Sequence, residues 1–132
     1  MATMAEVTAY LVAKSVATAV GTDLFEDALP EATPDTAMAV VMTGGPAGEK
    51  EFGLAGIGRE FPGIQFLSRA ASYDTARANC QAAFDALGEV DAETLSSTFY
   101  ETVEPTSPFL LQVDQTGRAV YALNAQIIKE PS

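Results

Sequence analysis

Gly63-Ile-Gln-Phe-Leu-Ser-Arg69 leads, through Ala70-Ala71-Ser72, into Tyr73-Asp-Thr-Ala-Arg-Ala-Asn-Cys-Gln-Ala-Ala-Phe-Asp-Ala-Leu-Gly88. The first segment has the side-chain period of two that is typical of a β-strand with one mainly buried face. In the second segment, apolar side chains recur at steps of three and four, which is typical of an amphipathic helix. Ser72 is suited to cap this helix and Gly88 to end it in left-handed backbone. The apolar stripe of the helix is Tyr73, Ala76, Cys80, Phe84 and Leu87. A strand that leads directly into a capped helix predicts the centre of a small α/β sandwich.

Outside this centre, the sequence predicts a further helix and four further strands. The helix runs from about Met4 to Val20, where apolar side chains again follow a helical spacing. Asp114-Gln-Thr-Gly117 suits a tight hairpin turn. The strands are expected at residues 37–43, 95–102, 108–113 and 118–128. We therefore predict one domain over residues 1–132, an α+β two-layer sandwich of a mainly antiparallel sheet with two helices.

The N-terminal helix has two apolar strips. We expect the first to meet the sheet, and Val7 and Leu11 fall on a different side. This second strip either meets a neighbouring subunit or belongs to a helix that is sunk more deeply in its own fold, and the sequence leaves both alternatives open. The first strip is Ala5, Ala9, Val12, Ala13, Val16 and Val20.

Residues 44–62 are far richer in glycine than the rest of the chain and predict a loop or a loose β-arm. Apolar side chains on a surface arm usually need something to bury them. The arm is either a flap over the protein's own core or a segment that becomes ordered on a partner or an adjacent subunit, and we favour the second. Its apolar residues are Phe52, Leu54, Ile57 and Phe61.

The charge of the chain argues against binding to a nucleic-acid backbone. Seven Lys and Arg residues face 18 Asp and Glu residues, which gives a net charge of −11 and a pI near 4.1. Binding by counterion release needs clustered cations. The acidity suits the wall of a passage through which DNA slides without sticking, and it suits a merely soluble surface equally well. No basic leader and no apolar run of about 20 residues is present, so we expect a soluble protein made inside the cell and no membrane partner.

The sequence contains no pattern that predicts catalysis, a cofactor or a metal. It has no histidine, and its single cysteine, Cys80, is expected to fill the core. The glycines between 53 and 58 lack the third glycine of a dinucleotide-binding loop, and Gly48-Glu-Lys50 departs from the phosphate-binding loop. The acidic residues between 26 and 35 lack the ligand spacing of a calcium loop. We therefore predict that the protein is not an enzyme.

Arg69 and Arg118 are the most informative charges in so acidic a chain. We expect each guanidinium to pair with a carboxylate or to cap a row of carbonyl groups, within a subunit or between subunits. A guanidinium directed at DNA is the less favoured alternative.

Several segments together resemble the minor capsid and tail terminator (tail completion) proteins of long-tailed bacteriophages. The likeness covers nearly the whole chain, and it depends on the order and spacing of motifs that are weak one by one. The matching pieces are Pro34-Asp35, Thr43-Gly44-Gly45, the strand at 64–69 ending in Arg69, Tyr73-Asp74 with Ala76, Asp114-x-x-Gly117-Arg118, and Asn124.

The resemblance implies a small subunit that assembles, commonly as a hexameric ring, on the head-proximal end of the tail tube. There it would stop tube polymerisation and present a surface for joining the filled head, with DNA passing through the lumen. The implied partners are further copies of the chain, the tail tube protein and a head-completion or connector protein. The implied location is the virion, at the head-tail junction, after assembly in the host cytoplasm.

The sequence leaves three alternatives to the tail terminator function open: another connector ring or a tail tube protein, a small-molecule binding module, and an enzyme that uses carboxylates alone. For the ring, we expect subunit or partner contacts from the N-terminal helix, the arm and the two arginines. The candidate interface residues are Val7, Leu11, Phe52, Leu54, Ile57, Arg59, Phe61, Arg69 and Arg118.

Overall fold

The computed structural model describes residues 2–32, 34–44, 49–50 and 57–130. Over these residues the chain forms two helices and nine strands. The helices are α1 (Ala2–Ala13) and α2 (Tyr73–Gly88). The strands are β1 (Leu24–Glu26), β2 (Ala37–Gly44), β3 (Glu49–Lys50), β4 (Ile57–Arg59), β5 (Gly63–Ala70), β6 (Asp91–Leu95), β7 (Thr98–Pro105), β8 (Phe109–Val113) and β9 (Ala119–Lys129).

Seven of these strands form one sheet in the order β1-β2-β5-β9-β7-β6, with β8 also paired to β9. Both helices pack on this sheet, so the α+β class is confirmed. β1 and β2 are parallel, whereas the other described pairs of the sheet are antiparallel. The prediction of a mainly antiparallel sheet is therefore corrected to a mixed sheet. The difference arises because β1, which the sequence did not predict, runs in the same direction as β2.

The central strand and helix form as predicted. β5 pairs with β2 along one edge and with β9 along the other, and its Ile64 and Phe66 are fully buried. α2 lies over β5 and β9, so the core fills the space between the helices and one face of the sheet. The Ser72 hydroxyl caps α2 by accepting a hydrogen bond from the Thr75 N–H at 3.5 Å.

Two details of α2 differ from the prediction. Tyr73 is exposed, and the buried face consists of smaller side chains around Cys80. Gly88 belongs to the helix and is followed by Glu89 in right-handed backbone, so no left-handed stop occurs. Instead, the N–H of Glu89 donates to the Ala86 carbonyl oxygen at 3.2 Å and closes the last turn.

α1 ends at Ala13, seven residues before the predicted end at Val20. Its end is a Schellman motif: the Val16 N–H donates to the Leu11 carbonyl at 2.9 Å, and the Ser15 N–H donates to the Val12 carbonyl at 3.0 Å. Ser15 takes the left-handed conformation, with φ 62°. Sequence reasoning missed this end because the left-handed position is occupied by serine and not by glycine.

The two faces of α1 are the reverse of the predicted ones. Val7 is 1% exposed and Leu11 is 0% exposed, so both belong to the core of their own subunit. Ala5 and Ala9 are exposed instead. Larger side chains gain more from burial than alanine does, and Tyr10 adds a 2.7 Å hydrogen bond from its hydroxyl to the Ala86 carbonyl. The alternative of a more deeply sunk helix is therefore confirmed. Of the strip that was expected to meet the sheet, Val12 and Val16 pack against the core, whereas its three alanines and Val20 are exposed.

The C-terminal half is a run of antiparallel strands. The strand predicted at residues 95–102 is divided: β6 ends at Leu95, and a two-residue turn joins it to β7, which begins at Thr98. Ser96 and Ser97 of that turn have φ 48° and 78°, as a type I′ turn requires. β7 and then β8 pair with successive parts of the same edge of β9. The predicted hairpin turn between β8 and β9 is confirmed, with Gly117 at φ 86°.

The glycine-rich segment contributes a second, two-stranded sheet of β3 and β4. Glu60, just after β4, forms an isolated bridge with Lys129 at the end of β9. Phe52 and Leu54 lie outside the described residues. Neither helix of the described chain has the length and apolar character needed to cross a membrane.

The strained end of α1 gives a first prediction. Glycine adopts left-handed backbone without the steric penalty that serine bears, although it loses more backbone entropy on folding. We expect Ser15→Gly to raise the free energy of unfolding by about 0.5–1 kcal/mol, measured by urea denaturation. Ser15→Ala is the matched control and should give no gain. An equal effect of both variants would contradict the role assigned to the left-handed conformation.

Candidate functional site

Two buried arginines hold a proline-containing segment against the sheet. Arg69 lies near the end of β5 and Arg118 directly precedes β9, and both side chains are buried. Side chains alternate along a strand, so Arg69 lies on the face opposite to Ile64 and Phe66, which face the helices. Residues 30–32, 34 and 35, here called the strap, contact both guanidinium groups from that side.

Arg69 donates to three carbonyl groups of the strap. Its Nε donates to the Asp35 carbonyl at 3.3 Å, and its two terminal nitrogens donate to the carbonyls of Pro30 and Pro34. Burial lowers the pKa of Arg69, and the neighbouring Arg118 charge lowers it further. The carbonyl oxygens compensate for water that the guanidinium loses on burial.

Arg118 connects the strap to the β8–β9 turn. Its Nε donates to Asp114 Oδ2 at 2.7 Å, while its terminal nitrogens donate to the carbonyls of Ala32 and Glu31, each at 2.6 Å. Asp35 Oδ1 lies 3.4 Å from Nη1. The prediction that both arginines pair with carboxylates or cap carbonyl groups is confirmed, and these bonds lie within one subunit.

Asp114 organises the turn that carries Arg118. Its Oδ1 accepts from the Thr116 N–H at 3.0 Å, the Thr116 hydroxyl at 2.9 Å and the Arg118 N–H at 2.9 Å. Desolvation by itself would raise the pKa of Asp114. The hydrogen bonds from Arg118 and Thr116 outweigh it and lower that pKa to about 2. The carboxylate is therefore ionised over the whole neutral range.

A second buried polar cluster ties α1 to β7 and β9. The Glu6 carboxylate accepts hydrogen bonds from the hydroxyls of Thr98 and, at 2.8 Å, Tyr100. Lys129 is fully buried; its Nζ lies 2.9 Å from Glu60 Oε1 and 5.8 Å from the centre of the Tyr100 ring. Burial, together with the Glu6 carboxylate, raises the pKa of Tyr100. An acid, a phenol and an amine thus lie together, but their described partners are other groups of the fold.

The strap borders an open hollow of about 420 Å³. Its charged wall is already engaged, because Arg69 and Arg118 donate to strap oxygens and do not converge on the hollow. Cys80 is buried, as predicted, and burial raises the pKa of its thiol to about 12. In the described part of the chain, no group of three or more His, Cys, Asp or Glu residues is placed to hold a metal ion. The hollow is lined by Leu29, Pro30, Glu31, Arg69, Gln112, Asp114, Gln115, Thr116, Arg118 and Val120.

β8 is the most exposed apolar element of the described structure. Seven large apolar side chains are exposed among the residues described, and four of them lie in this five-residue strand. Phe109, Leu110, Leu111 and Val113 are between 37% and 46% exposed. Soluble monomers seldom cluster apolar side chains on the surface in this way, so β8 is a candidate contact surface.

Comparison with known proteins assigns the chain to a family. The family described as bacteriophage tail terminator protein matches residues 11–131. The chain belongs to the bacteriophage tail terminator family. Among solved structures, a chain of the virion of a native gene transfer agent (GTA) particle is similar, with a TM-score of 0.63 and 20% identity. The match covers 92% of this chain and 84% of that chain, and at this identity it concerns the fold alone. No curated protein matches the sequence significantly.

Membership of the tail terminator family confirms the resemblance that the sequence motifs predicted. It makes this chain a structural protein of the phage virion with a role in completing the tail. The functional site of such a structural protein is a contact surface.

The predicted interface residues do not form one exposed surface in the described part of this tail terminator. Val7, Leu11, Arg69 and Arg118 are buried in their own subunit. Phe61 is half-buried, and Arg59 is exposed with its Nε 3.3 Å from Glu101 Oε1. Ile57 lies in β4, but its side chain, like Phe52 and Leu54, falls outside what is described. For the arm, the interface assignment stays a prediction.

The sequence predicted the strand β8, but it did not predict that the apolar side chains of this strand are exposed. Its sequence, Phe109-Leu-Leu-Gln-Val113, has three consecutive apolar residues. Alternating side chains point to opposite faces, so a single buried face cannot accept all three. The prolines at 105 and 108 predict from the sequence that one strand end lies at a sheet edge, which agrees with the position of β8.

The contacts of the strap predict that the free energy of unfolding depends strongly on the geometry of the Arg69 guanidinium. Lysine keeps the charge of Arg69 but cannot donate in three fixed directions. We expect Arg69→Lys to lower the free energy of unfolding by about 1–3 kcal/mol, because strap carbonyls lose their donors. Arg77→Lys, at an exposed arginine of α2, is the control and should change it by less than about 0.5 kcal/mol. Similar small effects of both variants, measured by urea denaturation, would argue against the strap contact.

The hydrogen bonds to Asp114 in the β8–β9 turn predict that the protein loses stability in acid. The pKa of Asp114 is about 2 in the folded chain, against 3.8 for an unperturbed aspartate side chain, so the native state binds fewer protons between these values. Its contribution to stability is therefore complete above about pH 4 and is lost as the pH falls towards 2. In urea denaturation across this range, Asp114→Asn should lose stability less steeply than the unmodified chain. Gln115→Ala, a neutral change in the same turn, should keep the original slope; an unchanged slope in Asp114→Asn would refute the assignment.

Proposed function

We propose that this protein forms a closed ring on the head-proximal end of the tail tube, ends tube polymerisation there and provides the surface to which the filled head joins. The match of the tail terminator family to residues 11–131 carries this proposal. We retain the hexamer that the family resemblance implies. The ring would be a component of the virion at the head-tail junction, assembled in the host cytoplasm.

A closed ring needs two different contact patches on each subunit, because its interfaces are heterologous. The exposed apolar side chains of β8 supply one surface that a monomer would leave in water. The arm between residues 44 and 62, including Arg59 and Phe61, remains a proposed contact with the neighbouring subunit or the tube. The tail tube protein and a head-completion or connector protein are the partners of the two ring faces.

The charge of the chain fits a passage for DNA. A net charge of −11 per subunit repels the phosphate backbone, so DNA would pass through the lumen without specific binding. The proposed role is structural and not enzymatic. It requires no cofactor, and the buried Glu6, Tyr100 and Lys129 are engaged with other groups of the fold.

A different connector ring and a tail tube subunit are the nearest alternatives. A tube subunit adds to itself without limit, whereas a terminator stops at one ring. A small-molecule binding module has less support, because the arginines beside the hollow at the strap donate to strap carbonyls.

The test is arrest of tube growth. Purified tail tube protein is allowed to polymerise with increasing amounts of the labelled chain, and tube lengths and label positions are measured by negative-stain microscopy. We expect arrest at amounts far below one chain per tube subunit, with label at one end of each tube. Growth that continues with label along the whole tube would identify a tube subunit. Tubes of unchanged length that carry no label would refute the proposal.

A further inference from the structure

β8 differs from the other edge strands of the described sheet. β1, β6 and β8 each pair with a single strand of that sheet. β1 has three residues and ends in Glu26, and β6 carries Asp91 and Glu93. Short length and charge are the usual protection of an edge against unwanted pairing. β8 has five residues and no charge, so it is the least protected of these edges.

The charge of the whole chain restricts where two copies can touch. With a net charge of −11 on each copy, surfaces that carry unpaired carboxylates repel one another. Residues 105–113 carry no charged side chain, and they end just before Asp114, whose carboxylate is paired with Arg118. β8 is therefore a surface on which burial gains apolar contact without bringing acidic groups together.

The outer face of α1 has the complementary properties. The only charged residue among residues 2–13 is Glu6, and its side chain is buried against Thr98 and Tyr100. A surface helix normally presents charged side chains to water. Here Ala5, Ala9 and Ala13 are exposed. This face has small side chains, so it leaves room for the bulky side chains of another element. Ala9 and Ala13 line a hollow whose other lining residues include the charged Lys14 and Glu93.

We propose that β8 of one subunit packs on the outer face of α1 of the next copy of this chain. Large side chains from β8 would lie against the alanines of α1, with Lys14 and Glu93 as charged groups beside the contact. The two patches are different, so each copy has one of each, as a heterologous ring interface requires. This inference rests on the proposed ring and names the surfaces that close it.

The first part of the test uses single substitutions that each block one patch. Leu110→Arg places a charge on β8, and Ala9→Arg places a long charged side chain on α1, where arginine is a good helix former. Val20→Arg and Ala82→Arg are matched controls at an exposed apolar residue outside β8 and an exposed alanine of α2. Molar mass is measured by light scattering, and rings are counted by microscopy, alone and with tail tubes. We expect both patch variants to lose ring formation and both controls to keep it.

The second part mixes the two patch variants in equal amounts. Leu110→Arg retains an intact α1 face, and Ala9→Arg retains an intact β8. One productive junction should therefore form, giving a dimer of twice the 13.8 kDa monomer mass and no larger species. Formation of this dimer also shows that both variants are folded. Raising the salt concentration should strengthen the association, because it screens the repulsion between copies that each carry a net charge of −11.

The outcomes separate this inference from the proposed function. Rings formed by either patch variant, or a mixture that stays monomeric while the unmodified chain forms rings, would overturn the β8–α1 contact and leave the terminator role intact. An unmodified chain that forms no ring with or without tubes and does not arrest their growth would overturn the proposed function itself.

Discussion

Two guanidinium groups that are buried must keep their hydrogen bonds, and much of this structure follows from that requirement. A buried donor without an acceptor costs about 1–3 kcal/mol, and more when it is charged. Arg69 and Arg118 meet the requirement with backbone carbonyls of the strap. The strap is thereby fixed to the end of the central strand β5 and to the turn before β9. Without these bonds, the sheet face opposite the helices would lose its cover at this end.

The buried cluster around Glu6 applies the same constraint on the other side of the molecule. A carboxylate, a tyrosine hydroxyl and a lysine are the groups from which many active sites are built. Here Glu6 and Tyr100 join α1 to β7, and Lys129 joins β9 to Glu60. Each bond connects elements that are distant in sequence. The cluster therefore specifies how α1 is seated on the sheet, which in turn directs its alanine face outwards.

The charge distribution limits which parts of the surface can take part in contacts. An excess of carboxylates keeps copies of the chain apart and repels DNA, which suits the proposed ring around a DNA passage. In the proposed ring, copies of the chain would associate where carboxylates are absent or already paired. β8 meets that condition, because the nearest carboxylate, Asp114, is paired with Arg118. The alanines of α1 carry no charge themselves, and Glu93 is a carboxylate beside them. The strap and β8, the proposed contact surface, are thus linked through the β8–β9 turn.

Local periodicity, turn residues and motif order were enough to predict the strand–helix centre, the β8–β9 turn, the α+β class and the family. They also indicated that Arg69 and Arg118 would be paired. The packed fold was needed to decide which face of α1 is buried, because two apolar strips compete and the larger side chains gain more from burial. It was also needed to place β1 parallel to β2, since a three-residue strand has too little pattern to be recognised. The exposure of β8 likewise came from the fold. Its own residues indicate only that one buried face cannot accept all of its apolar side chains, whereas the neighbouring strands and helices decide which of them stay exposed.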